Sequence, residues 1–417
     1  PMDHRKNTWK LPAKCLRLET RRAGRILCGV KIRSATTDSR GNGVFFRLFS
    51  ACSIALFPGA CSAAPIAPGN AGMTPADLPT AKAPQLISAA DPRFLYEGRF
   101  DFSDTNAPVV IWEANRIRLD FSGNTLGLLF DEAKGQNFFN TQVDGSNTIV
   151  EASEGKPVSP ATLSGFGSGR HHLLLFKRSE ATAGTVRFRG VELAAGAKAW
   201  APRPPAYKLR MEFIGDSITV GACNEDGPAD QWENRRTHDS ALSYAALTAD
   251  AFNADHRNIS VSGMGIVTGY VPMKAGQIWD RLYPGTNSAR ADLTKWVPQV
   301  VFVNFGENDD SFTRVHGQPF PDGFTEGYVA LVRAIQTAYP EAHIVLLRGG
   351  MFGGAKSEPL RKAWEAAVTQ LEAGDKDVSH FVFSHWTHTH PRVKDDRIMA
   401  AELVDWLRRQ EFMQPYR

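Results

Sequence analysis

Leu209-Arg-Met-Glu-Phe-Ile-Gly-Asp-Ser-Ile-Thr219 is the stretch on which the reading of this chain turns. A short, mostly apolar run of this kind reads as a strand buried on both faces, as in a parallel sheet. Gly215 lets the backbone turn sharply after it, and Asp216 and Ser217 are favoured helix caps. A serine so placed stands at the mouth of the sheet, where a helix N-terminus favours developing negative charge. Taken alone, the stretch is equally an ordinary capping turn, and only its surroundings decide.

Downstream, apolar residues at helical spacing over Asp239–Phe252 predict a helix. Strand 258–261, strand 300–305, helix 325–339, strand 343–347, helix 359–371, strand 381–383 and helix 395–409 complete the series. This alternation predicts a three-layer α/β domain around a parallel sheet over residues 206–417. Ligands of such sheets lie beyond the carboxyl ends of the strands, and three further motifs fall there. Ser262-Gly263-Met264-Gly265 offers a backbone N–H able to approach a substrate oxygen closely. Gly306-Glu307-Asn308-Asp309 offers an amide that can donate to an oxyanion. His388-Thr389-His390-Pro391 offers an imidazole to take a serine proton and return it to a leaving group. Each motif singly is a common turn. Their order, at four of the five strand ends of one domain, points to nucleophilic serine chemistry.

Upstream, residues 91–205 read as all-β, with short runs such as Phe94–Phe102, Val109–Phe121, Leu126–Phe130, His171–Phe176 and Thr185–Leu193 separated by Gly, Asn, Asp and Ser turns. That composition predicts a sandwich or jelly roll, closed by the stiff segment Ala201-Pro-Arg-Pro-Pro-Ala206. Residues 65–90, rich in Pro, Ala and Gly, are expected to be a linker. Residues 1–64 read as a leader: a basic segment, the apolar run Leu48–Phe57, then small residues to a cleavage point near Ala63 or Ala64. A secreted or periplasmic protein is therefore expected.

The formal charge of +4 conceals an asymmetry, since residues 1–47 carry 12 Lys/Arg against 3 Asp/Glu and the remainder 36 against 41. The mildly acidic body argues against nucleic acid as a partner. No run reaches the ~18 apolar residues of a membrane span. Four of five cysteines fall in the leader, leaving Cys223 alone, so neither a disulfide framework nor a thiolate metal site is expected.

The chain resembles the SGNH (GDSL-like) hydrolases, whose four blocks match Ser217, Gly263, Asn308 and His390. Tyr96-Glu-Gly-Arg-Phe-Asp-Phe-Ser103, Phe176-Lys-Arg-Ser-Glu180 with Gly184-Thr-Val186, and Leu242-Ser-Tyr-Ala-Ala-Leu-Thr248 extend the likeness to the two-domain carbohydrate esterases of family 2, over roughly residues 90–410. The resemblance implies a β jelly roll ahead of a flavodoxin-like SGNH domain. It also implies removal of acetyl groups from polysaccharides such as xylan and glucomannan, with no metal or other cofactor. Ser217 would be the nucleophile, His390 the base, and Ser217, Gly263 and Asn308 the oxyanion hole. Three departures stand out: Glu307 replaces the more usual Thr, Cys223 occupies a position where glycine or an aromatic is commoner, and the Asp usual two or three residues before the histidine is replaced by His388 or Thr387. A Ser–His dyad is therefore expected, with Glu307 the remote alternative orienter.

Other readings stay open. His385, His388 and His390 invite a zinc site, although on an extended segment His385 points away from the other two. The acyl substrate can instead be peptidoglycan O-acetyl, a short-chain lipid or a thioester, or the domain can be a weakened, carbohydrate-binding one. Trp232, Trp279 and especially Trp386 are candidates to stack on sugar rings.

Overall fold

In the computed structural model, which describes residues 83–156, 161–373 and 375–416, the first half of the chain is antiparallel β-structure. Its strands are β1 (Gln85–Ser88), β2 (Leu95–Glu97), β3 (Phe100–Asp101), β4 (Val109–Val110), β5 (Arg116–Ser122), β6 (Thr125–Gly135), β7 (Phe138–Val143), β8 (Ser146–Glu151), β9 (Ala161–Ser164), β10 (Arg170–Lys177), β11 (Gly184–Leu193) and β12 (Ala199–Trp200). One sheet runs β3-β4-β11-β6-β9 with β1 on β11; the other runs β12-β5-β10-β7-β8 with β2 on β5. Period-two alternation turns Ile117, Leu119 and Phe121 of one sheet and Leu126, Leu128 and Phe130 of the other into a shared core. A β-sandwich is thus formed, as the composition requires. The stretch expected to be linker contains a strand: Leu86 and Ile87 lie against Glu192 and Val191 of β11. The leader and residues 65–82 lie outside the described residues.

The second half supplies β13 (Arg210–Gly215), α1 (Ser217–Val220), α2 (Tyr244–Ala251), β14 (Asp255–Ser260), α3 (Ala275–Ile278), β15 (Val300–Asn304), α4 (Glu307–Val315), α5 (Phe324–Ala338), β16 (His343–Met351), α6 (Phe352–Lys356), α7 (Glu358–Glu372), β17 (Val378–Thr387) and α8 (Val393–Leu407). The five strands pair in parallel in the order β14-β13-β15-β16-β17. Ile214, Val303 and Leu346 face α5 and α7 on one side, while Phe213, Phe302 and Val345 face α2 and α8 on the other. The predicted doubly wound domain is present. Helix α2 starts at Tyr244, not Asp239, because Asp239 caps a short turn of its own and the Ser243 side chain then accepts from Ala246 N–H. Helix α4 is an element beyond the predicted series; its acidic first turn, Glu307, Asp309 and Asp310, complements the helix dipole.

The two halves form one compact unit through buried polar contacts. Arg99, from the loop between β2 and β3, donates to Glu212 of β13 at 3.1 Å and to the carbonyls of Trp279 and Arg281. Both side chains of this ion pair are essentially buried, 3% and 0% exposed. Arg116 of β5 adds an ion pair to Asp255 and a bond to the His256 carbonyl, and Trp112 donates its indole N–H to the Leu282 carbonyl at 2.8 Å. Removing one partner of a buried pair strands the other charge. Glu212→Ala is therefore expected to lower unfolding free energy by ~3–5 kcal/mol, read by urea unfolding; a loss below ~1 kcal/mol would show that Arg99 finds water or another acceptor.

Candidate active site

Ser217 opens α1 two residues after Gly215 and is 4% exposed. The turn needs glycine at 215, where a Cβ would lie 2.2 Å from Thr219 Oγ1. Asp216 caps the helix by accepting from Ile218 N–H. Gly263, at φ +79°, bends the chain after β14, and its carbonyl accepts from Tyr270 N–H at 2.8 Å. Asp309, wholly buried, gathers three backbone N–H groups of the same loop, those of Ile266, Val267 and Thr268, at 2.8–3.0 Å. Among the described residues no backbone or side-chain acceptor takes the N–H of Ser217 or of Gly263. Two residues that line the cleft thus each keep a backbone donor without an acceptor in the protein.

Asn308, 6% exposed, donates from Nδ2 to Asp216 Oδ2 and to the Met264 carbonyl, both at 3.0 Å. Both its amide hydrogens are engaged at rest, so it serves a third oxygen only by exchanging one of these partners. Glu307 turns away from the histidine: its carboxylate accepts from Gly354 N–H at 2.9 Å and so positions α6. The role of remote orienter for Glu307 is therefore withdrawn.

His390 lies past the end of β17. Its Nδ1 is 2.8 Å from Asp230 Oδ2, across 160 residues of sequence. The other oxygen of Asp230 is 2.8 Å from Arg392. Although burial opposes it, His390 and Arg392 hold this carboxyl down at about 2. Beside the expected Ser–His pair there is thus a carboxylate in contact with the imidazole, supplied by a loop and not by the residues two and three ahead of the histidine. His388, at one of those positions, stacks on Phe352 instead. The ring of Trp232 lies over His390, centroids 5.7 Å apart and planes 26° apart, while Arg235 lies 4.0 Å over the Trp232 ring. With those neighbours Trp232 is a wall for the imidazole, not a sugar platform. Trp279 is core, 4% exposed. Trp386 lies behind the rim, edge-on to His388 with Lys356 over its ring.

Ser217, Gly263, Asn308 and His390 line one cleft of about 580 Å³. The β-domain contributes Glu180 and Thr182 to its wall, and Tyr270, 52% exposed, stands at its rim. The three histidines do not gather. His385 bonds to Asp395 at 2.9 Å, and among the described residues the group with metal-ligand atoms close together is Cys223, Asp230 and His390, within 4.8 Å. Burial pushes the Cys223 thiol up, which keeps it protonated, and His390 Nδ1 is already engaged; that set suits a metal poorly.

Sequence reasoning missed Asp230, Glu180 and Arg235. Glu180 closes the quoted motif Phe176-Lys-Arg-Ser-Glu180 but lies far along the chain from the four strand-end motifs, Asp230 and Arg235 stand in no motif, and only the folded chain brings the three to the cleft.

The profile described as Carbohydrate esterase 2 N-terminal matches residues 96–205, and that described as GDSL-like Lipase/Acylhydrolase family matches residues 213–401. A cellulase/esterase of Acetivibrio thermocellus is 35% identical over 328 residues, which are 75% of this chain and 39% of that one. The chain therefore spans well under half of that relative. An acetylxylan esterase / glucomannan deacetylase of Cellvibrio japonicus is 29% identical over 74% of this chain and 88% of its own length. A solved structure of a family two carbohydrate esterase from Clostridium thermocellum, in complex with cellohexaose, superposes with a TM-score of 0.66 at 32% identity, covering 76% of this chain and 98% of that one.

Burial raises Asp216 to about 8, helped by the nearby negative charges of Glu307 and Asp309. A carboxyl whose folded value lies above its unfolded value, near 4, stabilises fully below the unfolded value. That contribution is lost as pH rises toward about 8. The thermal midpoint is expected to fall between pH 5 and 8.5, more shallowly in Asp216→Asn, since one such group contributes at most ~1.4 kcal/mol per pH unit. Parallel pH curves for the two proteins would contradict this assignment.

Proposed function

The chain belongs to carbohydrate esterase family 2, and from that premise we propose that it is a serine esterase that removes O-acetyl groups from polysaccharides such as xylan or glucomannan. The observation that carries this reading is the convergence, in one cleft, of Ser217, His390 and two unpartnered backbone N–H groups. The names of the relatives supply the substrate class: one is an acetylxylan esterase and glucomannan deacetylase, and a family structure holds cellohexaose.

His390 takes the Ser217 proton through Nε2 as Oγ attacks the acetyl carbonyl. The tetrahedral oxyanion is held by the N–H groups of Ser217 and Gly263. Asn308 joins them by turning its amide from Asp216 toward the new negative charge, a partner stronger than a carboxyl kept protonated by burial. His390 then protonates the departing sugar hydroxyl, and in the second half activates water to release acetate. No step needs a metal or cofactor. Tyr270 at the rim is the aromatic free to stack on a sugar ring. Trp386 supports that rim from behind through His388 and Phe352. A polymeric substrate does not cross a membrane, so with a leader patterned as a secretory signal the protein works in the periplasm or outside the cell.

The test is acetate release from acetylated xylan and acetylated glucomannan. Wild type is expected to release acetate and Ser217→Ala to release none, while Asn308→Ala loses about 10²–10³ in rate. Full activity in Ser217→Ala would refute the serine mechanism. Binding of polysaccharide with no release by wild type would favour a carbohydrate-binding role.

A further inference from the structure

The histidine of a serine esterase has to present one ring nitrogen, unprotonated, to the nucleophile. Which nitrogen that is depends on what holds the other. In this chain His390 Nδ1 faces Asp230 Oδ2 at 2.8 Å, and the His390 backbone N–H points to the same oxygen at 3.4 Å. Arg392 flanks the opposite oxygen at 2.8 Å. Arg392 is itself fixed, donating to the carbonyls of Cys223, Gly227 and His390. These bonds tie the loop that carries Asp230 to the loop that carries His390. A carboxylate beside a guanidinium only accepts, so Nδ1 carries the hydrogen and Nε2 is left free. Two residues after Asp230, Trp232 covers the face of the same imidazole. Arg235 braces the indole and pairs with Glu180 of the β-domain at 3.3 Å. One short segment, Asp230-Gln-Trp232, therefore grips His390 by its edge and its face.

We propose that Asp230, held by Arg392, is the positioning acid of this esterase, fixing His390 in the Nδ1–H tautomer from a loop 160 residues before it. The inference rests on the serine-esterase reading for its kinetic consequences but not for its structural claim. Asp230 is not among the residues that line the cleft; it acts through His390. Its removal should lower kcat and leave binding alone.

Two measurements separate these claims. Nitrogen-15 spectra of the wild-type protein report the tautomer of His390 without substrate, with His390→Gln identifying the resonance. Nδ1–H in wild type is the expected result; Nε2–H would overturn the proposal whether or not the protein is an esterase. Kinetics follow: Asp230→Asn is expected to lose ~10²–10⁴ in kcat with KM within about twofold and a thermal midpoint close to that of wild type. Asp230→Glu, which restores an acceptor of the same charge, is expected to recover part of the loss. A kcat within threefold of wild type in Asp230→Asn would overturn the proposal, as would a loss confined to KM. Should Asp230→Asn fail to fold, the wild-type tautomer still decides. No acetate release by wild type alongside the Nδ1–H tautomer would sink the esterase reading while leaving the Asp230 contact standing.

Discussion

Two backbone N–H groups of the α/β domain, those of Ser260 and Ser262, donate to carboxylates that belong to the β-domain. Glu113 accepts from Ser260 at 3.2 Å, and Glu180 accepts from Ser262 at 2.9 Å. Ser260 ends β14, and Ser262 immediately precedes Gly263, so the loop carrying a proposed oxyanion donor is set by side chains from another domain. A buried N–H left unmade costs ~1–3 kcal/mol, so the strand end and the sandwich settle together. The sandwich is for this reason part of the site and not an appendage to it.

Holding those acids in place requires further buried charge. Glu113 is wholly buried and its carboxyl is raised, chiefly by burial, while Lys177 between the two acids is lowered for the same reason. Lys177 is satisfied all the same, donating to the carbonyls of Ile111 and Gly184 at 2.6 and 2.7 Å. Beside it, Arg178 reaches across to Glu225 and Asp239 and donates to Asn140 of its own domain. Asp239 in turn caps the turn ahead of α2. These buried ion pairs and hydrogen bonds join the domains at several separate points, which suits a fixed docking better than a hinged one.

The fold was legible because its signals are periodic. Ile117, Leu119 and Phe121 alternate, and Tyr328, Leu331, Val332 and Ile335 recur at helical spacing. Strands β7 and β8 went unread because Phe138 and Phe139 are adjacent and both buried, and Ser146 to Thr148 are exposed, so neither shows clean alternation. Ser217, Gly263, Asn308 and His390 were legible because each sits in a short local motif at a strand end. Asp230 was not: its segment, Gly227-Pro-Ala-Asp-Gln-Trp232, is an ordinary polar loop, and nothing local relates it to a histidine 160 residues on. Looking for an acid only next to the histidine therefore returned a dyad. The pairing depends on where two loops come to lie, and that is set by packing, which spacing along a chain does not encode.

Around the cleft, the loops that carry Ser217 and Gly263 are held by buried carboxyls. Asp309 alone gathers three N–H groups of the Gly263 loop, and Asp216 and Glu307 take others nearby. Only a short way along the same turns, Ser217 and Gly263 keep theirs free. A loop shaped merely for stability would have given these groups acceptors too, since a satisfied donor stabilises by ~1 kcal/mol. On the proposed mechanism, leaving them open forgoes that gain in the resting protein and recovers it when negative charge appears on the bound acyl oxygen. The buried acids around the site serve this indirectly. Asp216, Glu307 and Asp309 hold the turns from behind by accepting their N–H groups, and burial raises all three carboxyls. Three ionised carboxylates there would oppose the oxyanion; protonated or bound to N–H groups, they fix its donors while adding less repulsion.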